Sequence, residues 1–146
     1  METIQFDSGI REYQLKGLGV LRFHPGDPNL YARFMESADM ISQLQTHLEE
    51  KGKQLENEEA SQQVLKLLEE ADRQMKQILN WVFGPGNDFD KLLGGVNLLS
   101  MGQNGQRLIT NLLTALEPVL VEGAKQCARE ASAAAVARAE ARRSQQ

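Results

Sequence analysis

A mostly α fold, a helical bundle with a small N-terminal antiparallel β-meander, is what the chain predicts, and three observations carry that expectation. Of 146 residues 41% are hydrophobic but only 5% aromatic, so the core is built from Leu, Ile, Val, Met and Ala, the usual filling of packed helices. Long apolar stripes recur at helical spacing between residue 30 and residue 120. Strand-like alternation is confined to residues 3–23.

In that first stretch Ile4 and Phe6, then Tyr13 and Leu15, then Val20 to Phe23 alternate, separated by Asp7-Ser8-Gly9 and Lys16-Gly17. Gly tolerates positive φ, and Asp or Ser bonds nearby amides, so both separators read as turns. A meander of two or three strands follows, too small to stand alone and needing helices against one face.

Pro25-Gly26-Asp27-Pro28-Asn29 ends the strand and opens a helix, with Asp27 as N-cap and Pro28 at the first helical position. Leu30, Phe34, Ile41, Leu44, Leu48 and Leu55 form its stripe, which runs to about residue 50, with Gly52 as a weak point. A second stripe, Val64, Leu68, Ala71, Met75, Ile78 and Val82, alternates steps of four and three like a coiled-coil seam. Val64, Leu68, Met75 and Ile78 are therefore candidates for self-association. Lys51 to Glu59 suits loop and helix equally.

That second helix stops at Gly84-Pro85-Gly86. A short helix from Asp88 to Leu93 ends at Gly94-Gly95, and an irregular loop follows. Leu108, Leu112, Ala115 and Val119, widened by Ile109, Leu113, Leu116 and Leu120, predict a deeply buried last helix with a kink or restart at Pro118. Residues 1–123 make one domain. Residues 124–146, Ala-rich and polar, read as an exposed helix or frayed tail.

The net charge of -4 is uneven. Residues 36–72 hold ten acidic and three basic side chains, and residues 123–146 five basic and two acidic. No apolar run approaches the roughly 20 residues of a membrane span, and the first residues lack a basic and then apolar export pattern, so the expected compartment is the cytoplasm.

Chemistry-bearing constellations are sparse. His24 and His47 are too far apart in sequence for a helical zinc pair, and a lone Cys127 makes neither an internal disulfide nor a thiolate cluster. Gly17-Leu18-Gly19 lacks the third glycine of a dinucleotide fingerprint and opens no helix. Glu49-Glu50 and Glu58-Glu59 read as solvated surface. No catalytic, metal-ligating or cofactor-binding residue emerges, so the expectation is a protein that is not an enzyme and carries no cofactor. An acidic chain, with no basic face bearing stacking aromatics, is also a poor nucleic-acid binder. What remains is hydrophobic recognition at the corner around Gly84-Pro85-Gly86, where Trp81, Phe83, Phe89 and Leu93 are candidate partner-binding residues and ordinary core packing is the competing reading.

The stretch from Leu21 through Arg22-Phe23-His24-Pro25-Gly26-Asp27-Pro28-Asn29 to Phe34 resembles the strand-to-helix segment of a family of small proteins encoded by phages and prophages of Gram-positive bacteria. Phe83-Gly84-Pro85-Gly86, Leu92 to Ser100 and Asn111 to Pro118 resemble that family's glycine turn, Asn-x-x-Ser loop and final helix. Together the matches span residues 4–120. The resemblance implies the tail-morphogenesis region of long-tailed phages, and a tail assembly chaperone. Such a protein binds the tape-measure protein, with the tail tube protein as a second partner, in the host cytoplasm. Alternatives are a structural virion or scaffold component and a prophage-encoded regulator or nucleic-acid binder.

Overall fold

The structure is a computed structural model that describes residues 1–55 and 60–145. Among these residues the chain forms a two-stranded antiparallel hairpin followed by four helices.

Strands β1 (Arg11–Gln14) and β2 (Val20–Phe23) pair with Arg11 opposite Phe23 and Gln14 opposite Val20. Alternation works as read for Leu21 and Phe23, which are buried, while Val20 and Arg22 face outward. The meander has two strands, not three. Ile4 and Phe6 lie outside any strand and are 87% and 78% exposed. The reason is local: the Asp7 carboxylate accepts the Gly9 amide at 2.9 Å, and Gly9, at φ 71°, is pressed against the His24 ring. The chain is thereby carried past His24 rather than back along β1.

Helix α1 (Pro28–Lys53) starts where its capping residues predict. Asp27 accepts the Asn29 amide at 2.9 Å, and Pro28 needs no donor there. It runs a little past residue 50, through Gly52, with Lys51 and Lys53 on the negative end of its dipole. Of the stretch left open between loop and helix, Lys51–Lys53 is helical and Gln54 caps it; residues 56–59 lie outside the described residues.

Helix α2 (Ala60–Phe83) runs antiparallel to α1. Arg33 donates from Nε to the Val82 carbonyl at one end, and Lys51 and Leu55 meet Gln63 and Leu67 at the other. Gly84, at φ 87°, closes α2 in the left-handed conformation that glycine adopts without strain, and its amide donates to Asn80 O. Helix α3 (Phe89–Leu92) is one turn, capped by Asp88, which accepts the Asp90 amide. Helix α4 (Leu108–Ser144) is continuous. Pro118, where a kink or restart is expected, does not interrupt it, and neither does Gly123. Beyond Ala128 nearly every side chain stands in solvent, so the Ala-rich segment is an exposed extension of α4.

One core joins these elements: Leu21 and Phe23 from the hairpin, Leu30, Phe34 and Ile41 from α1, Ala71, Met75, Leu79 and Val82 from α2, and Ile109, Leu116 and Leu120 from α4. An aromatic chain runs through it, Tyr13 stacked on Phe23 at 4.6 Å, Phe23 edge-on to Phe83 at 5.1 Å, and Phe83 beside Phe89 at 5.4 Å.

Polar side chains fasten the pieces. Asn87 accepts the Arg22 amide and donates to the Arg22 carbonyl, imitating a neighbouring strand along β2. Lys76, almost wholly buried, reaches Asp72 at 2.9 Å and Asp90 at 2.6 Å, tying α2 to α3. The other Asp72 oxygen accepts the Leu98 amide at 2.8 Å, and Asn97 donates to Leu68 O. Burial pushes the Lys76 ammonium toward a lower pKa, but its bonds to Asp90 and Asp72, and their charges, outweigh that and leave it above the ordinary lysine value.

Candidate functional site

Each of α1 and α2 carries two neighbouring stripes. In α1 the buried one is Leu30, Phe34, Ser37 and Ile41; Ser37 fits the interior by returning its hydroxyl to Phe34 O. In α2 it is Ala71, Met75, Leu79 and Val82. Shifted along from these lie Met40, Leu44 and His47 on α1 and Gln74, Ile78 and Trp81 on α2, both at i, i+4, i+7. A helix turns about 100° per residue, so each second stripe flanks the buried one and opens outward.

The two outward stripes face each other across an open groove of about 510 Å³, completed by Gln43 and Gln77. Its walls are chiefly apolar. Trp81 is 45% and Met40 38% exposed, unusual for side chains of that size. Leu44 and Ile78 are half-buried and form the floor. Three glutamines and His47 supply the polar rim. The groove is about two helical turns long, since seven residues rise roughly 10 Å.

Of the four corner residues, only Trp81 belongs to this surface. Phe83, Phe89 and Leu93 are 6%, 0% and 7% exposed and lie in the core. The Gly84-Pro85-Gly86 turn folds them inward, and Phe89 is held by its amide donating to Asn80 Oδ1. The coiled-coil-like seam divides as well. Met75 is wholly buried within its own chain and offers no self-association surface; Val64, Leu68 and Ile78 are half-buried, and Ile78 lines the groove. Met40 and the glutamines went unread in the sequence, although Met40-Leu44-His47 repeats the spacing of the core stripe beside it.

The two histidines play different parts. His24 is engaged locally, its Nδ1 accepting the Gly26 amide at 3.0 Å, whereas His47 stands at the groove rim. Cys127 is partly buried in a more polar cleft between α4 and the segment from Asp7 to Gly26. No helix among the described residues is long and apolar enough to cross a membrane.

No family model, no curated protein and no solved structure matches the chain.

Proposed function

We propose that the protein is a non-enzymatic tail assembly chaperone of a phage or prophage, taking an amphipathic helix of the tape-measure protein into the groove between α1 and α2. The observation that carries this reading is the pair of outward stripes, Met40-Leu44-His47 and Gln74-Ile78-Trp81. An amphipathic helix docks through apolar anchors repeated over two turns, which matches the length and the apolar floor of this groove.

The residue types suit a guest that is held and later released. Trp81 gives a large, rigid contact area, and Met40 adapts its flexible thioether to different guest side chains. Glutamines at the rim meet the polar flanks of a helix without demanding a charge. The acidic excess of residues 36–72 favours a guest flanked by Lys or Arg and keeps a complex soluble. The resemblance of residues 4–120 to small phage-encoded proteins supplies the biological setting, the bacterial cytoplasm, with the tail tube protein as a second partner.

Trp81 is the sole tryptophan, so its emission reports on the groove directly. Co-expression with the tape-measure product of the same gene cluster should give a stable complex with blue-shifted Trp81 emission. Trp81→Ser should reduce capture at least tenfold while circular dichroism stays unchanged. Unchanged capture by a folded Trp81→Ser variant would overturn the proposal.

A further inference from the structure

The small sheet has one edge closed at Arg22 and one edge open along its length. Because Leu15 donates to Gly19 O, and Asn87 takes both the amide and the carbonyl of Arg22, the pairs Gln14/Val20 and Glu12/Arg22 are those that do not exchange backbone hydrogen bonds. On β2 the outward Arg22 groups are satisfied by Asn87. On β1 the backbone groups of Glu12 and Gln14 point away from β2 and meet no partner among the described residues. An uncovered strand edge is a template for another strand.

The N-terminal arm that precedes β1 belongs to no strand. Residues 3–7 make no backbone hydrogen bond to another segment among the described residues, yet their sequence alternates, and Ile4 and Phe6, which an extended strand would set on one face, are both exposed. The contact of Gly9 with His24 fixes the root of this arm away from its own β1: a Cβ on Gly9 would stand 2.5 Å from His24 Nε2. Tyr13 of β1 and Leu15 just after it pack against the core but are left only half-buried. A third strand carrying two apolar side chains on that face would cover them.

We propose that the N-terminal arm of a second copy supplies that third strand, Ile4 and Phe6 packing over Tyr13 while its backbone pairs with Glu12 and Gln14. Every chain carries one open edge and one unpaired arm, so reciprocal exchange closes as a two-fold dimer and leaves neither over. The area is sufficient. Ile4 and Phe6 expose on the order of 350 Å² per arm, and two arms with the edges they cover approach about 1,400 Å², within the range of a standard specific interface. None of the groove residues takes part, so this dimer stands or falls separately from the tape-measure reading.

Sedimentation velocity at tens of micromolar should show the full chain as a dimer. Phe6→Asp alters a side chain that is exposed in the monomer, so it should give a folded monomer. Glu12→Pro should do the same, because the lost amide faces away from β2 and an edge strand tolerates proline there. In a Cys127→Ser background, a chain carrying Gln5→Cys mixed with one carrying Gln14→Cys should form a cross-linked heterodimer on oxidation. A monomeric full chain, a dimer that survives Phe6→Asp, or a cross-link formed only within one chain bearing both cysteines would overturn the proposal.

Discussion

Gly123 passes so close to Pro25 that a Cβ on it would stand 1.8 Å from the Pro25 carbonyl oxygen. The obstructing atoms, the Pro25 carbonyl and the Gly26 nitrogen, belong to backbone, so no rotamer change relieves the clash, and α4 would have to back away from the turn that starts α1. Alanine is the better helix former by about 1 kcal/mol, but displaced packing costs about 1–3 kcal/mol. Gly123→Ala should therefore be destabilising overall in urea denaturation. Gly52→Ala provides the control: it lies in α1 with open space around it, and should be stabilising by about 0.5–1 kcal/mol.

Lys76 is the second point where a single change should be costly. Lys76→Met leaves the largely buried Asp72 facing Asp90 with no cation between them. Removing one partner of a buried pair costs about 3–5 kcal/mol, and the solvation of Asp90 brings the figure to roughly 2–3 kcal/mol here. The pH dependence has a definite sign. Because the folded-state pKa of Lys76 is raised, its contribution is complete below the ordinary value of 10.5 and is lost as pH rises through the higher folded value. Denaturation midpoints measured as pH rises above 10.5 should fall more steeply for the wild type than for Lys76→Met, which has no such group to lose.

Local signals were legible in the sequence where one residue settles the conformation. Asp27-Pro28 opens α1, Gly84 closes α2, and the alternation of Leu21 and Phe23 marks a buried strand face. Periodicity was less complete, because it identifies a face without saying what covers it. Met75 and Ile78 belong to one regular stripe, yet Met75 sits in the centre of the core and Ile78 on the floor of the groove. Likewise Trp81 and Phe83 are both aromatic and two residues apart, which on a helix turns them to different sides. Ile4 and Phe6 alternate as well as any strand, but a strand exists only with a neighbour to bond. Asn87 against Arg22 and Lys76 against Asp90 are pairings across the fold that no local pattern announces.

The tail should tolerate removal from a point later than composition suggests. Sequence alone places the boundary at Gly123, but Ala124 and Cys127 are still partly covered, and Arg129 is paired with Glu122 at 2.9 Å. That ion pair is exposed and contributes little, so the difference rests on apolar contact. Ending the chain after Glu130 should leave the melting temperature unchanged. Ending it after Gly123 should cost about 1–2 kcal/mol, from the lost burial of Ala124 and Cys127 and the fraying of the last turn that holds Gly123 on Pro25.

The corner aromatics should separate cleanly by substitution. Phe83 lies between Phe23 and Phe89 in the aromatic chain, and Phe89 is wholly buried. Truncating a buried phenylalanine costs about 3–5 kcal/mol before the added penalty of a buried hydroxyl, a large fraction of the 5–15 kcal/mol that holds a domain folded. Phe83→Ser and Phe89→Ser should therefore lose near-ultraviolet circular dichroism and melt at least 10 °C lower, with partner binding failing as a consequence. Trp81→Ser removes a half-exposed ring from the groove wall and should shift stability by less than about 1 kcal/mol. Binding measured on the folded variants then discriminates. Loss with Trp81→Ser alone places recognition on the α1/α2 groove, whereas a stable Phe83→Ser protein with lost binding would return recognition to the glycine corner and contradict the buried position of that ring.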